Sequence, residues 1–375
     1  MLCNAFAGLA LSLLAPSPAP LAAAPPIPFA SEQVQQERRG EIPLRELSGE
    51  DQGREPRFDP RSGKWLNVRR FFPVARVVDG DTIWVDRNNR REKLRLLSVD
   101  TEEQLIGNPN ASPLKPETVF GEECARWAEE YIASLAVEGK RPVVGLAFPG
   151  GQERRDVYGR LLCHVILPDG TDYNLMLVRE GKSPYFNKYG NSRLMHRAFV
   201  AAQESAKKAR VGIWDPETNA PETPGAPAAK RPYDVLLPWW QARAEAVDRF
   251  RQRTKTDPAR WVEAEDPEAV RRAAEAGTPV DVFAGVNRLF DEDDGSLTVL
   301  FRSGSKDAEI RARIPADAKD ALLEAFDLRS INDPFRQNFV YLRGKIEQGS
   351  RGFTMNGARA EAWRVAEPGF DARDE

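Results

Sequence analysis

From residue 72 onward, short runs rich in β-branched and aromatic residues alternate with turn signals, and this rhythm restricts the fold more than any other feature of the chain. VARVV, TIWV and EKLRLLSV read as three strands, the first two joined at Asp79 and Gly80, an Asp-Gly pair suited to a tight turn. After the loop QLIGNPNASPLKPETV comes a helical run, GEECARWAEEYIASL, and then two more strands, RPVVGLAF and YGRLLCHVIL. DYNLMLVREG and LMHRAFVAAQESAKKA read as helices, and the unit closes at Gly212, Ile213 and Trp214. Five strands with helices between and after them predict an OB-type barrel. The pattern returns near the C-terminus. DVFAGVNRLF, SLTVLFR and AEIRARIP are strand-like, ADAKDALLEAF is helical, and NFVYLRGKIEQ and GFTMNGARAEAWRVA are strand-like again. The expected fold class is therefore a β-barrel plus α (α+β): an OB-fold domain, a helical connector and a second OB-like domain.

The 375 residues divide accordingly. Residues 1–30 carry no charged side chain and run through AFAGLALSLLA into PSPAPLAAAPPIP, which predicts a signal peptide and export, with a disordered leader as the alternative. Residues 31–71 are polar and without a sustained period, an extended arm. The first barrel spans 72–215, and a Pro/Ala-rich linker over 216–233 should stay extended. Residues 234–276 form the helical connector, with Trp239 and Trp240 in its first helix and Asp266, Pro267 and Gly277 as start and stop of its second. The second barrel takes 277–366 and a tail 367–375. Its aromatics Phe301, Phe339, Tyr341 and Phe353 could stack on bases, but strand aromatics more often fill a core, and core is the expectation. No stretch after the leader has the length needed to span a bilayer.

Composition narrows the chemistry. With 54 Lys and Arg against 57 Asp and Glu, net charge −3, any attraction for a polyanion must be local. His164 and His196 are the only histidines and lie far apart in sequence, which argues against histidine-based hydrolytic sites and His-rich zinc. Cys3, Cys124 and Cys163 contain no CxxC pair, and the last two read as small core residues. A hard cation held by oxygen ligands is what remains.

Three segments carry the chemistry: VVDGDTIWV (77–85), LRLLSVDTEE (94–103) and DVYGRLLCHVIL (156–167). Hydrolysis of a phosphodiester calls for a cation, donors for the new negative oxygens and a base to orient water, and carboxylates and arginines in this order could supply them. Arg95 stands among Leu94, Leu96 and Leu97, where a guanidinium is costly unless partnered. DGDT, RLLSVDTEE, DVYGR, the N-x-x-LV-x-x-G run over 174–181 and the terminal GIW occur in one order, and residues 72–215 thereby resemble the staphylococcal (thermonuclease) nuclease family.

That resemblance implies a Ca2+-dependent endonuclease that hydrolyses DNA and RNA and leaves 3′-phosphate ends. Asp81 and Asp100 match the family's calcium-binding carboxylates, and Thr101 would add a backbone carbonyl. Arg95 and Arg160 match the arginines on the scissile phosphate, suited to it by their forked donors. Without the family match, Arg160 would read as a structural partner of Asp156. Glu103 matches the glutamate that orients or deprotonates water. Tyr158 corresponds to a tyrosine near the nucleotide's phosphate, and Tyr185 or Tyr189 would supply an aromatic wall for a base. The whole site would precede the Pro/Ala-rich linker. Two departures stand out: Glu102 replaces the proline of VDTPE, where it would tighten calcium binding or raise the pKa of Glu103 by repulsion, and Val157 stands where some members carry lysine. The chief rival is a binding module of the same fold, a class that generally loses these acidic and arginine residues; all five side chains are present here. A further rival makes the C-terminal half an interaction unit whose partner the sequence does not name.

Overall fold

The computed structural model describes residues 56–108, 111–156, 158–220, 229–325 and 337–368. These belong to one compact unit over 54–375. The leader over 1–30 with Cys3, the arm up to residue 55, Val157, the middle of the linker and the tail after residue 368 lie outside the described residues.

The first barrel is built from β3 (Phe71–Asp79), β4 (Thr82–Arg87), β5 (Arg90–Leu96), β6 (Val143–Ala147) and β8 (Leu161–Ile166). β3, β4 and β5 form an antiparallel meander, β5 pairs in parallel with β8 through Leu94 and Leu161, β8 pairs with β6, and β6 returns to β3. The sheet thus closes on itself in the OB order. Alternation does the sorting: Ile83 and Val85 on β4 and Leu94 and Leu96 on β5 point inward and are buried. Helix α1 (Val119–Ala133) starts at Thr118, whose hydroxyl accepts from the Gly121 N–H, and α2 (Tyr173–Arg179) is capped in the same way by Asp172. Cys124 on α1 and Cys163 on β8 are buried, free thiols, as expected of core residues.

The end of the predicted arm is ordered instead. β1 (Arg57–Asp59) and β2 (Lys64–Leu66) form a hairpin. Its Trp65 is buried, and the indole N–H donates to Asp172 at 2.7 Å, the carboxylate that also meets His164 Nδ1 at 2.8 Å. A tryptophan that buries its ring and satisfies its one donor ties the hairpin to the barrel.

The second β-unit repeats the connectivity without full closure. β10 (Val280–Asp291), β11 (Leu297–Phe301) and β12 (Ile310–Ile314) are antiparallel neighbours, β12 pairs in parallel with β15 (Phe353–Asn356), and β10 pairs with β13 (Phe339–Gly344). These match the first barrel's pairings one for one, except that no pairing joins β13 to β15 among the described residues; β14 (Glu347–Gln348) flanks β15, and β16 (Trp363–Val365) flanks β13. The single strand expected over GFTMNGARAEAWRVA is therefore split, with a 3-10 turn at Ala360–Ala362 between the two pieces. Phe301, Phe339, Tyr341 and Phe353 are all buried. They pack the core, as anticipated.

The connector packs against both units. Helix α4 (Tyr233–Thr256) buries Leu236, Trp239 and Trp240 against Leu114 and Phe186 of the first barrel at one end. At the other end, its Ala246, Val247 and Phe250 pack on Phe283, Phe339 and Tyr341 of the second. Asp266 caps α5 (Pro267–Ala276), which Gly277 ends in the left-handed conformation at φ 62°, as its sequence signals required. With α3 (His196–Ala209) and α6 (Ala316–Ala325), six α-helices lie among the described residues. None is long and apolar enough to cross a membrane.

Half-buried Lys188 sits where α4 meets the barrel, its ammonium 4.4 Å from the Trp239 ring centroid. Desolvation, helped by the charges of Arg243 and Arg302, pulls its pKa down to about 7. In the unfolded chain a lysine titrates near 10.4, so the fold is penalised as pH falls from there through 7. Lys188→Met should accordingly gain stability over the wild type as pH is lowered from 10 to 7. Urea melts at several pH values check this, and a difference constant with pH would refute it.

Candidate active site

The turn between β3 and β4 brings the first carboxylate to the barrel rim. Asp79 accepts the Asp81 N–H at 3.0 Å, and Gly80 between them is forced by crowding: a Cβ there would lie 2.6 Å from Thr101 Cγ2 and 2.8 Å from Cys124 Sγ. The loop after β5 brings the second. Asp100 is fixed by its N–H to Ser183 Oγ at 2.8 Å, and the Thr101 N–H donates to Asp81 Oδ2 at 3.0 Å. Arg95, one residue before the end of β5, reaches both: Nη1 pairs with Asp81 Oδ1 and Nη2 with Asp100 Oδ1. The partner its leucine neighbours demanded is thus a pair of carboxylates. Gly121 opens α1 against this loop, since a Cβ at that point would sit 2.0 Å from the Glu103 carbonyl oxygen.

Two cations that sequence reasoning did not place also converge here. Lys115, from the loop before α1, bridges Asp100 at 3.0 Å and Glu103 at 2.6 Å. Arg231, from the far end of the predicted linker, is buried; its Nη2 pairs with Asp100 Oδ2, its Nη1 donates to the Asp100 carbonyl at 3.0 Å and its Nε to the Leu114 carbonyl at 3.2 Å. The expectation that the site precedes the linker is corrected by these contacts, 131 residues away in sequence. Neither residue announces itself: one is a lysine in an irregular loop, the other an arginine after a Pro/Ala-rich stretch.

Electrostatics follow from this crowding. Burial raises Asp100, but Arg231, Lys115 and Arg95 outweigh it and hold the carboxyl well below the usual range. Burial likewise opposes ionisation of Asp81, and Arg95 and Lys115 more than offset it. At Asp79, desolvation followed by the Asp81 charge outweighs the hydrogen bonds from Asp81 and Thr82 and the Lys115 charge, and raises it to about 7. Arg95 is raised because Asp81 and Asp100 outweigh its desolvation.

The remaining expected residues are placed unevenly. Glu103 joins the cluster through Lys115, with its side chain nearly half exposed. Arg160 stands just before β8, and its Nε donates to Asp156 Oδ2 at 2.6 Å, the pairing that the sequence offered as its structural alternative. Tyr158 is 81 % exposed, with the Arg160 guanidinium 5.4 Å from its ring centroid. Tyr189 is 53 % exposed. Tyr185 is not available as a base wall: it is 3 % exposed, stacks on Phe199 at 5.0 Å, and receives the Ser192 N–H on its hydroxyl. Glu102 also departs from expectation. Its buried carboxylate accepts from Thr118 Oγ1 at 2.5 Å, Asn219 Nδ2 at 2.8 Å and Tyr233 OH at 3.0 Å, so it anchors the chain after the barrel and does not face the cation cluster.

A sequence profile described as staphylococcal nuclease homologue matches residues 93–216, a span that holds Arg95, Asp100, Glu103 and Arg160. An uncharacterized protein of Methanocaldococcus jannaschii is 30 % identical over 159 residues, 40 % of this chain and 73 % of its own length. The chain belongs to the staphylococcal nuclease homologue family. The thermonuclease of Staphylococcus intermedius is 29 % identical over 146 residues, 38 % of this chain and 76 % of its own. Endonuclease YhcR of Bacillus subtilis is 33 % identical over 153 residues, 40 % of this chain but only 12 % of YhcR. Arg231 and the whole second β-unit lie outside the family match.

By donor type, Asp81, Asp100 and the Thr101 carbonyl fit a hard divalent cation. By charge the cluster is already balanced, because three carboxylates (Asp81, Asp100 and Glu103) face three cations (Arg95, Lys115 and Arg231). Among the described residues no group of three or more His, Cys, Asp or Glu side chains is arranged to hold a metal.

The Glu102 anchor is testable by itself. Glu102→Ala strands the buried Thr118 hydroxyl and, half-buried, the Tyr233 hydroxyl and Asn219 amide, a polar group left unpaired costing about 1–3 kcal/mol. Guanidinium unfolding should show a loss of that size, and a variant as stable as the wild type would mean that the chain after the barrel is held by other contacts.

Proposed function

We propose that this chain is a Ca2+-dependent endonuclease that hydrolyses DNA and RNA phosphodiesters and leaves 3′-phosphate ends. A phosphodiester-hydrolysing nuclease with a nucleic-acid substrate is what the family, with its thermonuclease and endonuclease members, supports. The observation that carries the reading is the placement of Arg95 between Asp81 and Asp100, with Glu103 on the same rim. A divalent cation bound by Asp81, Asp100 and the Thr101 carbonyl would supply positive charge beside the phosphate. The Arg95 fork can release a carboxylate to donate two hydrogen bonds to phosphate oxygens, and Arg160 can do the same on leaving Asp156. Glu103, partly exposed, accepts a proton from water once Lys115 turns aside. Tyr158 and Tyr189 offer exposed rings to the substrate's bases and sugars. Calcium is favoured over magnesium because it accepts flexible sets of carboxylate, carbonyl and water oxygens, whereas magnesium demands near-ideal octahedral geometry. Export, also proposed, would place such a site in calcium-rich surroundings.

Incubation with plasmid DNA and with RNA, in millimolar Ca2+ and in chelator, tests the reading; a folded protein that spares both substrates in calcium would defeat it. Arg95→Ala and Arg160→Ala should each slow cleavage by on the order of a hundredfold or more, the cost of removing one oriented donor from developing charge. Lysine should not restore the rate, since the fork is lost. Near-normal turnover in Arg160→Ala would leave that residue as the structural partner of Asp156.

A further inference from the structure

Arg231 lies beyond the family match, yet it makes more bonds to Asp100 than any other side chain in the cluster, taking its second carboxylate oxygen and its carbonyl. It is held there from behind, with its guanidinium carbon 5.6 Å from the Tyr233 ring centroid and 5.3 Å from that of Trp240. Tyr233 is fixed in turn by Glu102, and Trp240 is buried in the junction between α4 and the first barrel. The segment leading into α4 therefore delivers a preorganised positive charge to the carboxylate that a divalent cation would need.

We propose that Arg231 is a positioning residue of the nuclease site that competes with the divalent cation for Asp100, so that the segment leading into α4 sets the cation affinity. This inference rests on the reading of Asp81 and Asp100 as cation ligands. Arg231 keeps Asp100 oriented while no cation is bound, and it must yield Oδ2 when one arrives. With Arg231 in place the cluster is neutral; without it the cluster carries one net negative charge. A unit charge at contact range near a protein surface changes cation affinity by roughly tenfold or more. A purely structural arginine would act in the opposite direction, because its loss would loosen Asp100 and weaken binding. The sign of the effect separates the two roles.

The test is calorimetric titration of CaCl2 into the metal-free, full-length protein and its Arg231→Met and Arg231→Lys variants, with circular dichroism to verify folding. Arg231→Met should bind calcium at least tenfold more tightly than the wild type, and Arg231→Lys, which keeps the charge, should stay near the wild type. In the wild type, calcium should also speed hydrogen exchange in the peptide covering residues 233–240, as Arg231 leaves its place. Unchanged or weaker calcium binding by a folded Arg231→Met overturns the competition. If the wild type still binds calcium in that case, the nuclease reading stands without it. If no variant binds calcium, both fail. Should Arg231→Met not fold, the exchange measurement on the wild type decides: a peptide whose exchange ignores saturating calcium rejects the proposal.

Discussion

The Asp100 carboxylate is the point on which the site depends, because three separately delivered cations meet on it. Arg95 comes along β5, Lys115 from the loop before α1, and Arg231 from the end of the linker, two residues before α4. A buried carboxylate with one partner would be a liability, since burying charge is repaid only when its lone pairs are well satisfied. Sharing it among three donors turns that cost into a constraint on the elements that supply them. Moving any one of them exposes an imbalance on the other two.

A second buried carboxylate does related work one turn of chain later. Glu102 gathers Thr118 at the start of α1, Asn219 after the barrel and Tyr233 at the start of α4. Asp100 and Glu102 lie two residues apart and bind the same short stretch, Arg231 and Tyr233, so the loop carrying the candidate chemistry is clasped from the side where the family match has ended. Glu102, at the position where the resemblance implies a proline, has a role of its own in this clasp. Proline stiffens a turn locally, through its fixed φ; a glutamate with three hydrogen bonds to distant segments fixes the same turn by long-range contact.

What the sequence made legible was whatever is local. Strand alternation gave β3 to β5, the capping residues gave α5, and the Asp79-Gly80 pair gave the turn, although Gly80 proves necessary because Thr101 and Cys124 crowd it as much as for its turn propensity. Arg95 was flagged by its leucine neighbours, and the two carboxylates found against it match that signal. What escaped had no local signature. Lys115 and Arg231 are ordinary basic residues in irregular segments, and only the folded chain brings them to Asp100. Tyr185 failed for the converse reason: a tyrosine in a loop looks available, and the stacking on Phe199 that buries it arises from α3. The hairpin ahead of β3 was missed because its strands are three residues each, too short for a period to register.

The connector changes what the second β-unit means. A linker that merely tethered two barrels would leave each one's energetics independent. Here α4 makes a small apolar cluster with each unit, with Trp240 against Phe186 on one side and Phe250 against Phe283 on the other, at ring separations of 4.8 and 4.6 Å. Arg231 and Tyr233 sit at the N-terminal end of that same helix. The second unit and the residues that hold Asp100 and Glu102 therefore meet opposite ends of one helix, which Pro238 interrupts near its start. Among the described residues the second unit contributes no side chain to the cluster, and it packs instead on the helix that starts at Tyr233, two residues after Arg231.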